Sequence, residues 1–310
     1  MEKISIITPV LNRRAFVAEA IESVLKEQGD GFELEHIVVD GGSTDGTLDV
    51  LGRYRHLHVL TGRDRGVYDA LNKGIRAATG TIVGLLNSDD IFLPGTLSAV
   101  AHAFERDPGV DMLCLSARLA RREDGEWRVL GEFPASAHAN PALRALLAGP
   151  ILTNSRFYRR DVMLRTGLFD LDYPLIADRK LLLELIELGH RFLPIEHMAL
   201  EYRSHTGSLT FTEQPETLLK GIPEKLGLAE AYLARENLPR ATRNDIRAWH
   251  GHEVLIGLVL AARARSPSAL VGLLARGFRG SLLWPVAVLP EAGRLLRRRL
   301  GHRHSGAAGV

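Results

Sequence analysis

The chain has 310 residues, a formal net charge of +2 at pH 7 and 45% hydrophobic residues. This length suits one large domain or a domain with a helical addition, and the composition excludes a chain that is disordered throughout. The near-zero charge gives no support for nucleic-acid binding, and a single cysteine, Cys114, excludes an intrachain disulfide.

Apolar strands and amphipathic helices alternate over the first third of the chain. Strands are predicted at 3–10, 36–39, 58–60 and 81–86, and helices at 15–26, 47–54, 66–78 and 96–104. This alternation predicts an α/β fold with a mostly parallel, Rossmann-like sheet that helices cover on both faces.

Polar residues follow three of these strands at the point where each strand ends. Thr8 and Asn12 close the first strand, Asp40 the second, and Asp89 and Asp90 the fourth. Ligands of open α/β sheets bind beyond the carboxyl ends of the strands. The three polar strand ends therefore predict one shared ligand cleft.

The second half of the chain has a different pattern. It predicts an antiparallel hairpin of strands at 112–119 and 127–133, further strands at 153–157 and 191–195, and helices at 160–166 and 178–188. From about residue 213 the pattern is helical and rich in alanine, leucine and arginine. A domain boundary is therefore expected after residue 212.

Four motifs in this order resemble those of family 2 glycosyltransferases. They are Ile7–Asn12, Val38–Thr47, Asp64–Gly74 and Asn87–Asp90, and the third is similar to a subgroup that assembles bacterial capsule, colanic-acid-like and lipopolysaccharide-type polysaccharides. The resemblance covers about residues 3–210 and implies the GT-A fold. It also implies a catalytic domain of residues 1–212, in which 1–110 bind the nucleotide sugar and 111–212 the acceptor, before a helical extension of 213–310.

The activity implied by this resemblance is an inverting sugar transfer. The donor is a nucleoside-diphosphate sugar, with UDP favoured, and the acceptor is the hydroxyl of a saccharide or lipid-linked saccharide. The implied setting, assembly of a bacterial cell-surface polysaccharide, rests on family analogy.

A diphosphate leaving group carries negative charge that a hard divalent cation, held by carboxylates, can neutralise. The resemblance implies a DXD-type site in which Asp90 holds Mn²⁺ or Mg²⁺ and Asp89 contacts the ribose or the water shell of the metal. The alternative is that both carboxylates only cap the turn and helix that follow.

The resemblance further implies that Asp40 accepts a hydrogen bond from the nucleobase. Many family members have two consecutive aspartates here, whereas Gly41 follows Asp40 in this chain, so the identity of the base stays open. The other residues implied for the nucleotide-sugar site are Thr8, Pro9, Asn12, Gly42, Ser43, Arg65, Asp69, Asn72, Lys73 and Asn87. A solvated loop is the alternative for Arg65, and a helix surface is the alternative for Asp69, Asn72 and Lys73.

An inverting transfer needs one carboxylate that removes the proton of the acceptor hydroxyl. The resemblance places this base at the start of a helix, where Asp178 follows Ala177 in this chain and a glutamate is frequent in the family. Asp178 is also a candidate helix N-cap, and Asp170 and Asp172 are the alternative bases.

A further set of polar residues follows the last predicted strand. Arg203, His205 and Ser208 occupy the place where many relatives carry a loop over the diphosphate. The resemblance implies that Arg203 or His205 folds onto the donor as it binds, and a structural role is the alternative.

The C-terminal segment interleaves apolar and basic residues. Leucines, Phe278 and Trp284 alternate with Arg276 and Arg279 between 270 and 284, and four arginines follow at 294–299. A basic amphipathic helix predicts contact with an anionic membrane, and packing on protein is the alternative. Neither a leader peptide nor about 18 successive uncharged apolar residues are found, so a cytoplasmic chain, peripheral on the inner face of the membrane, is expected.

Three other functions compete with this interpretation. A nucleotidyltransferase would need a glycine-rich loop with a basic residue after the first strand, which residues 8–12 lack, and a dehydrogenase would need the spaced glycines of its fingerprint. An inactive sugar-nucleotide-binding or scaffold subunit is disfavoured because Asp89, Asp90 and Asp178 are all present.

Overall fold

A computed structural model describes residues 2–29, 31–138, 151–205, 214–280 and 284. The chain divides into two compact units, residues 1–207 and 208–310. The boundary expected after residue 212 lies in the stretch 206–213, outside the described residues, and stays a prediction, as does the subdivision at residue 110.

One mixed β-sheet organises the first unit. Its strands are β1 (Glu2–Val10), β2 (Phe32–Asp40), β3 (Leu57–Thr61), β4 (Ile82–Leu85), β5 (Ile91–Phe92), β6 (Met112–Glu123), β7 (Glu126–Phe133), β8 (Arg156–Arg159) and β9 (Phe192–Ser204). The described strands form one nine-stranded sheet in the order β3-β2-β1-β4-β8-β6-β9-β5, and β7 pairs with β6. The helices are α1 (Val17–Leu25), α2 (Thr47–Leu51), α3 (Val67–Ala77), α4 (Thr96–Arg106), α5 (Ala135–His138), α6 (Arg160–Thr166) and α7 (Ala177–Glu187).

The predicted α/β class is confirmed, although the sheet is more mixed than expected. Strands β1 to β4 pair in parallel, as do β6 and β9, whereas β8 is antiparallel to both of its neighbours. The strand predicted at 153–157 begins as a 3-10 turn, Thr153–Ser155, and becomes β8 only at Arg156. The two-residue strand β5 was not predicted because it is too short to show a period.

Helix α3 lies close against the sheet because position 74 has no side chain. An added Cβ at Gly74 would stand 2.3 Å from Ile7 Cγ2 and 3.3 Å from Val39 Cγ2. Since protein interiors are close-packed, any larger residue would push α3 away from β1 and β2. This close contact holds α3 in place against β1 and β2.

His36 is buried in β2, where its Nε2 lies 3.0 Å from Thr8 Oγ1. Burial, with a smaller effect from His56, lowers the pKa of His36 to about 3 from the ordinary value of 6.5. The unfolded chain therefore takes up a proton at this residue below pH 6.5 and the folded chain does not, so stability falls as the pH drops through that range.

The variant His36→Gln, which does not titrate, tests this linkage. We expect the wild type to lose about 2 kcal/mol more free energy of unfolding than the variant between pH 8 and pH 5. Urea denaturation at the two pH values measures the difference. If the free energy of unfolding changes equally with pH in the two proteins, folding does not lower the pKa of His36.

The second unit is helical in its described residues, as predicted. Its helices are α8 (Pro215–Leu219), α9 (Ile222–Leu233), α10 (Arg240–Arg263) and α11 (Pro267–Gly280). Leu226, Val254, Leu273 and Trp284 are buried in its apolar core. None of the described helices is long and apolar enough to cross a membrane.

Candidate active site

The loops that follow β1 and β2 are bonded to each other. The backbone N–H of Asn12 donates to Ser43 Oγ at 2.9 Å, and Asn12 Oδ1 accepts from the N–H of Thr44 at 2.9 Å. Asn12 has a φ of 54°, a conformation that asparagine adopts more readily than most residues. Arg13 joins these loops to the end of β4, because its Nε lies 3.7 Å from Asp89 Oδ2. The three polar strand ends therefore meet, as the sequence predicts.

Asp40 is fully buried at the end of β2, and its two carboxylate oxygens differ in their surroundings. Oδ1 accepts from the backbone N–H groups of Gly42 and Ser43, each at 3.0 Å. Oδ2 has no hydrogen-bond partner among the described residues. A buried carboxylate oxygen without a donor is unfavourable, so a ligand N–H at this oxygen would be strongly stabilising.

A second carboxylate, that of Asp64, lies against Gly41. An ideal Cβ at Gly41 would stand 2.9 Å from Asp64 Oδ2, and the Asp64 side chain is 8% exposed and paired with Lys73. The space that a side chain at position 41 would need is thus taken by a carboxylate from the loop after β3. Sequence reasoning missed Asp64 because no local pattern shows the approach of two distant loops.

Two of the predicted donor-site residues on α3 organise the loop before the helix. Asp69 Oδ2 accepts from the N–H of Arg65 at 3.0 Å, and Lys73 pairs with both Asp64 and Asp69. The side chain of Arg65 itself is exposed. The structure therefore presents Arg65 to solvent, while Asp69 and Lys73 have partners within the protein.

Three other predicted residues are buried against protein. Thr8 faces His36, and Pro9 lies beside it within β1. Asn72 is 2% exposed, and its side-chain amide is bonded to the backbone of Phe169. Asn72 thus has a protein partner, and its predicted contact with the donor stays a prediction.

Asp90 follows β4 and is 1% exposed. Its Oδ1 accepts from the N–H of Arg203 at 2.9 Å, and its Oδ2 accepts from the side-chain amides of Asn154 at 2.7 Å and Asn87 at 3.3 Å. Burial, and next the neighbouring Asp89 carboxylate, raise the pKa of Asp90 above its ordinary value. Asp90 therefore ties the end of β4 to β9 and to the 3-10 turn, and neither oxygen is left without a donor.

Asp89 carries the more accessible carboxylate of the pair. Its Oδ2 lies 2.9 Å from His205 Nε2, and the His205 ring stacks on Phe16 with centroids 4.8 Å apart. Among the described residues, no group of three or more His, Cys, Asp and Glu side chains could hold a metal. A divalent cation at this carboxylate would need its remaining ligands from phosphate and water. Of the two carboxylates predicted at the metal site, Asp89 is therefore the more accessible.

Asp178 is half-buried as the second residue of α7. Its Oδ2 accepts from Thr153 Oγ1 at 2.8 Å, and its Oδ1 accepts from the N–H of Arg179 at 2.7 Å. Because Ile176 is the N-cap of α7, the alternative role of Asp178 as the cap is wrong. Thr153 was missed because the sequence indicates a plain strand there.

The alternative bases, Asp170 and Asp172, and the arginine predicted to fold onto the donor, Arg203, have different surroundings from Asp178. Asp170 Oδ2 is 3.1 Å from Lys180 Nζ, and Asp172 is exposed. Arg203 is 7% exposed, and its guanidinium contacts Glu19, Glu201 and the ring of Trp127. Movement of Arg203 onto a donor would break these contacts. Ser208 lies outside the described residues.

Sequence comparison places these features in a family. Residues 5–170 match the family described as Glycosyl transferase family 2. The chain is 31% identical over 227 residues to a "PGL/p-HBAD biosynthesis glycosyltransferase" of Mycobacterium bovis (strain BCG / Pasteur 1173P2), which covers 71% of this chain and 83% of the relative. It is 30% identical over 185 residues to an uncharacterized glycosyltransferase of Mycobacterium tuberculosis (strain CDC 1551 / Oshkosh), covering 58% and 67% of the two chains.

Two solved structures are similar in fold. S. aureus TarS 1-349 in complex with UDP-GlcNAc has a TM-score of 0.64 at 18% identity, covering 92% of this chain and 81% of that one. The mannosyltransferase PcManGT from Pyrobaculum calidifontis, in complex with GDP-Man and Mn²⁺, has a TM-score of 0.57 at 19% identity, covering 90% and 80%. The fold is GT-A, and the chain belongs to glycosyltransferase family 2.

Proposed function

We propose that this glycosyltransferase is inverting and transfers sugar from a nucleoside-diphosphate sugar, with UDP favoured, to the hydroxyl of a saccharide or lipid-linked saccharide. The observation that carries the proposal is Asp40 Oδ2, which is buried and lacks a donor among the described residues. The imide N–H of uracil, or the corresponding edge of guanine, supplies such a donor. The nucleotide sugars in the TarS and PcManGT structures support a donor of this class. The wider role proposed is assembly of a bacterial cell-surface polysaccharide.

A divalent cation at Asp89, with His205 beside it, would neutralise charge on the departing diphosphate. The Mn²⁺ in the PcManGT structure supports a cation in this fold. Asp90 contributes indirectly, because its bonds to Asn154 and Arg203 fix the strand end on which Asp89 stands.

Asp178 is the proposed base. Thr153 orients its carboxylate, and its place in the first turn of α7 favours a negative charge. As the acceptor oxygen bonds to the anomeric carbon, the bond from that carbon to the diphosphate oxygen breaks, and the acceptor proton moves to Asp178. A single displacement needs one carboxylate, in contrast to the two that glycosidases place across the bond.

The variant Asp40→Asn tests the donor site. Asparagine keeps an acceptor for Gly42 and Ser43 but can present an NH₂ group where Oδ2 stood, so the nucleobase N–H would meet a donor. We expect nucleotide affinity to fall about 10- to 100-fold. Thermal shifts with UDP, GDP, dTDP and CMP, each with and without Mn²⁺, identify the nucleotide, and calorimetry then gives its affinity.

The exposed Asp161 provides the matched control, because Asp161→Asn makes the same chemical change away from the cleft. Equal affinity in Asp40→Asn and the wild type would remove Asp40 from the nucleobase site. If no nucleotide shifts the wild-type melting temperature, the inactive scaffold subunit becomes the better description.

We further propose that the second unit contacts an anionic membrane surface. Helix α11 exposes Val271, Leu274 and Phe278 at helical spacing, with Arg279 exposed beside them. The arginines at 294–299 lie outside the described residues. We expect the chain to float with vesicles that contain phosphatidylglycerol, and less so after Phe278→Ala. Equal flotation with uncharged phosphatidylcholine vesicles would contradict an electrostatic contact.

A further inference from the structure

Helix α3 is bonded to two separate loops of the first unit. On one side, Asp69 Oδ2 accepts from the N–H of Arg65, in the loop beside Gly41 and Asp40. On the other side, Asn72 Oδ1 accepts from the N–H of Phe169 at 3.0 Å, and Asn72 Nδ2 donates to the carbonyl of Phe169 at 2.8 Å. One short helix thus connects the proposed nucleobase site with residues 168–170.

The loop that Asn72 holds contains a strained residue. Leu168 is buried with a φ of 68°, a left-handed conformation that is unfavourable for leucine. Such a conformation persists only where the surrounding contacts impose it. The N–H of Leu168 donates to the carbonyl of Met163 in α6 at 3.1 Å. On the other side, α3 contributes the two bonds from Asn72 to Phe169 and the ring of Tyr68, 5.1 Å from the ring of Phe169.

The same loop runs directly into the helix that carries Asp178. Asp170 follows Phe169, and its carboxylate is bonded to the N–H of Asp172 and paired with Lys180 of α7. The chain then turns through backbone bonds at 173–176 and enters α7 at Ala177. A shift of Phe169 would therefore be transmitted to the first turn of α7.

We propose that Asn72 is a positioning residue that sets the location of Asp178 relative to the donor-side helix α3. This inference rests on the proposed role of Asp178 as the base. A planar side-chain amide presents one acceptor and one donor, so it can pair with both polar groups of a single peptide residue. Asn72 does this for Phe169, holds the strained turn at Leu168, and so fixes the start of α7.

Steady-state kinetics with Asn72→Ala tests the proposal. The probes are UDP-glucose, UDP-N-acetylglucosamine and GDP-mannose, and the signal is release of the nucleoside diphosphate. We expect kcat to fall about 100-fold, the effect of misplacing a catalytic group by about 1 Å, with the Kd of the nucleotide unchanged. Asn72→Asp, which keeps the acceptor for the Phe169 N–H and loses the donor, should have the same direction of effect and serves if the alanine variant does not fold.

Two further variants separate positioning from general destabilisation. Ile75→Val removes one methyl group from the buried face of the same helix without touching Phe169, and it should leave kcat unchanged. In an Asp178→Asn background, Asn72→Ala should cause no additional loss of kcat, because the group that it positions is already absent.

A weakened nucleotide Kd with unchanged kcat in Asn72→Ala would overturn the inference and restore the donor contact expected from the sequence. Additive losses in the double variant would also overturn it. Full activity in Asp178→Asn would instead refute the proposed base, independently of any result at Asn72.

Discussion

The variant Asp178→Asn is expected to lose sugar transfer by about 100- to 10,000-fold while it binds the nucleotide as tightly as the wild type. Asparagine has nearly the same shape, and its single carbonyl oxygen can still accept from one of the two present donors, Thr153 or the N–H of Arg179. It cannot take up the proton of the acceptor hydroxyl. Donor turnover and nucleotide thermal shift, measured on the same preparation, separate chemistry from binding.

Asp172 provides the control for this experiment. It is exposed in the same loop region and is one of the alternative bases, so Asp172→Asn changes the local charge equally. We expect it to retain wild-type turnover. If Asp172→Asn loses activity and Asp178→Asn does not, the base is misassigned although the fold and the donor site stand.

The variant Asp89→Asn is expected to abolish the part of nucleotide binding that depends on Mn²⁺ and to lower turnover by at least about 100-fold. The change removes the negative charge that would hold a cation and keeps the size of the side chain. His205 and Arg13, which neighbour Asp89 Oδ2, would remain but cannot replace a carboxylate. Nucleotide thermal shifts over a Mn²⁺ titration measure the loss.

Asp90→Asn distinguishes the two assignments of the metal ligand. Both Asp90 oxygens accept N–H bonds, so we expect this variant to melt at a lower temperature but to keep its response to Mn²⁺. Loss of the Mn²⁺ response in Asp90→Asn, with the response intact in Asp89→Asn, would support the assignment made from the motif. It would also imply that the contacts of Asp90 rearrange when the donor binds.

Local sequence patterns were sufficient for the elements that build the parallel half of the sheet. The apolar runs of β1, β2 and β4 and the helical spacing of α1 and α3 are periodic, and each is read within one window of the chain. The strand ends at Asp40 and Asp89 could be predicted to meet because parallel strands present the same ends at one edge. The prediction of a strand at 153–157 was less accurate, because the short 3-10 turn at its start leaves no periodic signal. The prediction of a mostly parallel sheet was also less accurate, because the periodicity of a strand does not show that its neighbours are antiparallel.

The order of the motifs was enough to identify the family, since it depends on residue types and spacing alone. The roles of individual side chains depend on which distant residues they contact. Asp90 is bonded to Asn154 and Arg203, 64 and 113 residues away, and Asn72 to Phe169, 97 residues away. Only the tertiary structure decides such pairings, because burial and hydrogen bonding are fixed when separate elements pack. Adjacent aspartates can then differ in exposure, as Asp89 at 18% and Asp90 at 1% do.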